Sequence, residues 1–208
     1  MPRLLELFSG TGSVGHAFAD LGWDVDSVDI LGNPTWRVDI RELDLQSLPH
    51  YDVVWASPPC TQHSVARTTA KTPRDLVGAD ELVQAALRVI AHCQPMLWWI
   101  ENPQSGLLKT RPMMQNLPYH DVDYCCYGTA YRKRTRLWSN ARSWTGARLC
   151  NRATRPSMLG TRHQKVAQVF TNRREELYAL PASLCDDIAA YCHAAFLQRH
   201  GGTMDGDP

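Results

Sequence analysis

A chain of 208 residues can form one full hydrophobic core with room for a small appendage. Its apolar runs are too short to span a bilayer, and the N-terminus carries no signal-peptide cleavage pattern, so no membrane role is expected. Seven cysteines, odd in number and irregularly spaced, exclude a secreted disulfide framework and suggest a reducing cytoplasm. Net charge is only +1, yet the stretch from Thr129 to Arg174 holds twelve Lys or Arg and no Asp or Glu, leaving ten of the 22 basic residues to face all 21 acidic ones. That asymmetry fits a polyanionic partner.

Residues 3–8 read as a buried strand that enters a Gly-rich turn, and 13–22 as a helix closed by Gly22. Further strands are predicted at 23–30, around Trp36–Val38, at 52–57, 96–101, 121–128 and 134–140. A loop rich in Thr, Arg and Lys fills 61–79, a helix follows over 80–93, and 174–198 reads as helical with a break near Pro181. Strands alternating with helices predict an α/β, doubly wound, Rossmann-like sheet.

The turn reads Gly10-Thr11-Gly12-Ser13-Val14-Gly15, a G-x-G-x-x-G after a strand, with Asp29 at the end of the second strand. This arrangement suits a nucleotide-containing cofactor, because glycines let the backbone approach the ligand and the acid accepts ribose hydroxyls. It does not distinguish nicotinamide from S-adenosylmethionine. Ser57-Pro58-Pro59-Cys60 ends the fourth strand and Glu101-Asn102-Pro103 ends the fifth. Ligands bind along that sheet edge, so Cys60 and Glu101 should face one cleft. A thiolate adding to carbon 6 of cytosine makes carbon 5 nucleophilic, and a carboxyl at N3 and the amine stabilises the addition. Taken singly, Cys60 also reads as a buried structural thiol.

These motifs resemble the DNA cytosine-5 methyltransferase family in its small phage-type form. Leu7-Phe8-Ser9-Gly10-Thr11-Gly12-Ser13 is similar to the family's first motif, Pro-Pro-Cys to its catalytic motif, Glu-Asn-Pro to its Glu-Asn-Val, and Arg132-Lys133-Arg134-Thr135-Arg136 to its Gln-x-Arg-x-Arg. The resemblance covers roughly residues 4–140. It implies S-adenosylmethionine as cofactor and flipped-out cytosine in double-stranded DNA as substrate. By this resemblance Phe8, Gly10, Thr11 and Gly12 line the cofactor, Asp29 takes the ribose, Ile30 packs on adenine, Asp39 and Ile40 meet its edge, and Pro59 lies near the methionine end. Cys60 is then the nucleophile, Glu101 the base partner, Arg136 a contact to cytosine O2, and Arg134 a support for Glu101 or its loop. Ser64, Arg67, Lys71, Arg74 and Arg132 are the expected DNA contacts.

Thr61, Pro103 and Arg132 differ from the family's usual Gln, Val and Gln, and no Gly-Asn-Ser motif is visible near Leu180-Pro181-Ala182. A catalytic domain of 1–140 and 173–200 is expected, with a short basic insert at 141–172 in place of a large target-recognition domain and a flexible tail at 201–208. Such an insert implies a short target or a partner protein. Cys125, Cys126, Cys150 and His163 are candidate zinc ligands, but their spacing fits no standard pattern. Cys125 and Cys126 also adjoin in a predicted strand, where they would point opposite ways, so free thiols without metal are expected. The rival readings are RNA as substrate, a carboxylated adenosylmethionine as donor, a nicotinamide-dependent reductase, and a nucleic-acid-binding module without catalysis.

Overall fold

The computed structural model describes residues 1–65, 67, 70–151, 163 and 178–201. A seven-stranded sheet forms from β1 (Arg3–Leu7), β2 (Asp24–Asp29), β3 (Trp36–Arg37), β4 (Val53–Ala56), β5 (Leu97–Pro103), β6 (Tyr119–Asp123) and β7 (Arg134–Ser139). Its spatial order is β3-β2-β1-β4-β5-β7-β6. Neighbours from β3 through β5 are parallel, whereas β7 runs antiparallel to both β5 and β6. The direction of winding reverses between β1 and β4, which opens a crevice at their carboxyl ends.

Helices cover both faces, so the central strands are apolar at nearly every position rather than alternating. On one face, α1 (Ser13–Ala19) and α3 (Ala182–His200) pack on Leu4, Val53, Trp55, Trp99 and Leu137. On the other, α2 (Leu76–Cys93) packs on Leu5, Leu7, Val54, Ala56, Ile100 and Trp138. Odd and even positions along each strand therefore face different helical layers.

Several boundaries differ from the sequence reading. The first helix stops at Ala19 and the chain turns through Gly22, whose φ is 79°. The second starts at Leu76 rather than 80, because Asp75 caps it by accepting from the Gly78 N–H at 2.8 Å. The sixth strand ends at Asp123; Tyr124–Tyr127 form a 3₁₀ turn closed by Gly128 in the left-handed region. Of the basic insert, 141–151 and 163 are described, and Ala141, Trp144 and Cys150 are buried in the domain. The rest of 141–172, the start of the predicted helix at 174–177, and 202–208 of the tail lie outside the described residues. Among those described, no helix is long and apolar enough to cross a membrane.

Candidate active site

The turn after β1 is built from left-handed backbone. Phe8, Gly10 and Gly12 have φ of 57°, 51° and 69°. Glycine takes this conformation freely, while Phe8 stores about 1–3 kcal/mol of strain. Phe8 is held there by its N–H, which donates to the Val28 carbonyl at 2.8 Å. Gly15 lets α1 lie close on the sheet: a Cβ there would stand 2.7 Å from Glu6 Oε2 and 3.0 Å from Val25 Cγ1. The Val14 and Gly15 N–H groups donate to the buried Glu6 carboxyl at 3.3 and 3.1 Å. Burial nevertheless dominates and raises the Glu6 pKa from 4.5 to about 7. Glu6 was missed in the sequence because a lone acid inside an apolar strand has no local signature of function.

A cavity of about 500 Å³ opens at the carboxyl edge of the sheet, a volume common for small-molecule sites. Phe8, Gly10, Thr11, Asp29, Ile30, Asp39, Ile40, Pro59, Cys60 and Glu101 all line it. Gly12 lies instead on a smaller adjoining cleft of about 300 Å³. Glu6, Arg41, Lys133, Tyr178 and Leu180 complete the wall and were not singled out as site residues in the sequence. Each Asp29 oxygen accepts one backbone N–H, from Gly10 and from Leu31, both at 2.9 Å. A carboxylate offers about four acceptor positions, which leaves capacity for two hydroxyl donors. Asp39 caps a 3₁₀ turn and is engaged by the Arg41 guanidinium at 3.0 and 2.6 Å, and these bonds lower its pKa. Arg41 therefore stands on the same wall as Asp39 and Ile40, and also reaches Glu81 on α2 at 3.2 Å.

The Pro58-Pro59 turn and β5 are tied by Asn102, whose buried amide donates to the Pro58 carbonyl at 2.8 Å. That bond fixes Cys60 relative to Glu101. The Glu101 carboxylate accepts from the buried Tyr124 hydroxyl at 3.0 Å and lies 3.9 Å from Lys133 Nζ. Lys133 also sits over the Tyr124 ring, 4.7 Å from its centroid. Burial pushes the half-buried Cys60 thiol up, the Glu101 charge pushes it further, and Lys133 opposes both.

The arginines correct the sequence reading. In the β5–β7 register Glu101 pairs with Leu137 and Asn102 with Arg136. Alternation puts Arg134 and Arg136 on the sheet face opposite Glu101. There Arg136 forks onto Asp121 at 2.8 and 2.9 Å and stacks on Tyr119, 3.4 Å from its centroid. Arg134 forks onto Asp123 at 3.0 and 2.7 Å, with Arg132 adding a bond at 3.2 Å. None of the three lines the cavity; the cation beside Glu101 is Lys133.

The expected DNA-contacting loop is partly folded on itself. Arg67 donates to the Pro73 carbonyl and Thr72 hydroxyl at 3.0 and 2.6 Å, and Arg74 to the Gln62 carbonyl at 2.7 Å. Lys71 is exposed and Ser64 half-buried. The loop is anchored by the buried His63, whose Nε2 lies 3.1 Å from Asp80 on α2. Asp80 in turn takes Arg111, and the Leu107 N–H donates to the His63 carbonyl at 2.8 Å. Cys125, Cys126, Cys150 and His163 converge just beyond the end of β6.

No family model matches the sequence. The fold is similar to a prophage-encoded protein of E. coli described as a DNA modification methyltransferase (TM-score 0.52, 18% identity, 67% of this chain and 46% of that one). It is also similar to the methyltransferase EhMeth of Entamoeba histolytica (TM-score 0.54, 12% identity, 70% and 54%). The chain spans about half the length of these solved structures, and at such identities the likeness shows the fold. In sequence it is 36% identical over 171 residues to the "Probable DNA (cytosine-5)-methyltransferase" of Frog virus 3 (isolate Goorha), a match covering 75% of this chain and 78% of the relative. Identity at that level over most of both chains means that this protein belongs to the DNA (cytosine-5)-methyltransferase family.

Proposed function

We propose that the protein methylates carbon 5 of cytosine in double-stranded DNA, using S-adenosylmethionine, with Cys60 as nucleophile. The observation that carries the reading is one cavity bordered by Cys60 and Glu101 on one side and by the Gly-rich turn and Asp29 on the other. The residues present fit the cofactor. Asp29 retains acceptor capacity for ribose hydroxyls, and Phe8, Ile30 and Ile40 offer apolar surface for adenine. When bound, S-adenosylmethionine supplies an electrophilic methyl group on a sulfonium.

The chain's own residues prepare the base. A cytosine flipped from the duplex brings its ring between Cys60 and Glu101. Cys60 gives its thiol proton to solvent water and its Sγ bonds to carbon 6, while the protonated Glu101 carboxyl gives its proton to N3, neutralising the ring, and accepts from the exocyclic amine. The electron pair displaced from the ring double bond is then available at carbon 5. After that carbon is alkylated, loss of its proton and departure of Sγ restore the aromatic ring. Tyr124 and Lys133 hold the Glu101 carboxyl in place, and Lys133 favours the thiolate. Asn102 keeps the two walls in register.

The test is transfer of radiolabelled methyl from S-adenosylmethionine to duplex DNA, followed by nucleoside digestion, with an RNA duplex beside it. Label in 5-methyldeoxycytidine supports the proposal. Label confined to RNA would move the substrate to RNA. Absence of label from both, in protein that binds the cofactor, would overturn methyl transfer from this donor.

A further inference from the structure

The candidate zinc ligands meet in space although their sequence spacing is irregular. The Sγ atoms of Cys125, Cys126 and Cys150 lie within 4.8 Å of one another. His163 Nε2 stands 3.2 Å from Sγ of both Cys125 and Cys150. The predicted strand would have turned Cys125 and Cys126 apart. The 3₁₀ turn over Tyr124–Tyr127 does not, since successive side chains on it are about 120° apart rather than 180°. Cys150 is drawn in by Asp123, which precedes that turn and accepts the Cys150 N–H at 2.8 Å.

We infer that Cys125, Cys126, Cys150 and His163 form a structural zinc site. Three thiolates and one imidazole are a common zinc donor set. Tetrahedral zinc, with bonds of about 2.3 Å to sulfur and about 2.1 Å to nitrogen, needs ligand separations of roughly 3.5–3.8 Å. The three Sγ atoms stand within 4.8 Å of one another and the imidazole 3.2 Å from two of them, close enough for side-chain rotation to bring the four groups onto one ion. Four protein ligands leave no open position, which assigns the ion a structural rather than a catalytic role. Binding releases the three thiol protons to solvent.

The site would staple three segments: the turn after β6, the chain after β7, and the part of the basic insert carrying His163. Its effect reaches the cavity through the adjoining Tyr124, which donates to Glu101, while on the other side Asp123 holds Arg132 and Arg134 outside the cavity. The zinc would thus fix the turn that positions the Glu101 carboxyl.

The experiment is metal analysis of the full chain, expressed with zinc in the medium and purified without chelator, with Cys60→Ser as a control. About one zinc per chain is expected in both proteins, together with a loss of at least about 5 °C in unfolding temperature on chelation. Cys150→Ser should lose the metal. His163→Cys, which keeps a four-ligand set, should retain it and guards against a misfolded serine variant. Cobalt reconstitution should give thiolate charge-transfer absorption and the intense visible bands of a tetrahedral ion. Folded wild-type protein without zinc, insensitive to chelator and showing no cobalt–thiolate absorption, would overturn the site. Retention of full zinc by folded Cys150→Ser would overturn the ligand set.

Discussion

At the scale of single residues, the charges beside Cys60 govern its reactivity. Cys60 is held as a thiol by burial and by Glu101, while Lys133 and, more weakly, a backbone N–H favour the thiolate. Iodoacetamide modification of the Cys60 peptide, followed by mass spectrometry, should therefore keep accelerating above pH 9.0, the ordinary value for a cysteine. Lys133→Gln should slow it at about pH 8, below the thiol pKa, because loss of thiolate there outweighs the partial gain in nucleophilicity. A rate that levels off below about pH 8, or a faster variant, would contradict this electrostatic picture. Glu6 is the second titrating group. Its folded-state pKa near 7 lies above its ordinary 4.5, so folding favours the protonated acid. That advantage is complete below pH 4.5 and fades as pH rises through 7, by about 3 kcal/mol in all. Denaturant titrations at several pH values should show that loss in the wild type and not in Glu6→Gln; parallel curves would show that Glu6 titrates normally.

At the scale of elements, strand alternation decides which parts of a motif reach the site. The resemblance of Arg132–Arg136 to a family motif located the right strand, but not which residues of it face the cavity. That depends on the pairing of β5 with β7, a long-range register absent from local sequence. Counting back by twos from Leu137, which shares a face with Glu101, leads to Thr135 and Lys133. Arg136 lies outside the cavity, engaged with Asp121 and Tyr119. Arg136→Ala leaves a largely buried Asp121 without its fork and should cost about 2 kcal/mol in thermal or denaturant unfolding. Methyl transfer per folded molecule should fall less than in Lys133→Gln, and the reverse order would restore Arg136 to the site. The 3₁₀ turn at Tyr124–Tyr127 was illegible for a related reason. Its residues are as good in a strand as in a turn, and only the left-handed Gly128 marks the exit. By contrast Cys60 and Glu101 stand at the ends of neighbouring strands, which is why the sequence alone set them facing one cleft; the Gly-rich turn and Asp29 line the same cavity.

At the scale of the whole molecule, the parallel part of the sheet and its switch point between β1 and β4 follow from alternating strands and helices, and with them the place of the cavity. The charge distribution does not. Along the chain, 129–174 looks like unopposed positive charge. In space Asp121 and Asp123 of β6 face Arg136, Arg134 and Arg132, and Asp187 of α3 lies 3.8 Å from Arg148. Much of the described basic block thus supports the fold rather than a polyanion. Among the described residues, Lys71 and Arg142 are exposed cations, and on the proposed reading they are the ones expected to attract DNA.

The central claim is covalent catalysis by Cys60 on cytosine. Its most direct test uses duplex DNA carrying 5-fluorocytosine, incubated with S-adenosylmethionine. Fluorine cannot depart as a cation in the step that normally loses a proton, so the thioether to carbon 6 persists. The account predicts a denaturation-resistant species with the mass of the chain, the DNA strand and one methyl group, formed by the wild type and absent from Cys60→Ala. The same species in Cys60→Ala, or cytosine methylation by that variant at the wild-type rate, would contradict it.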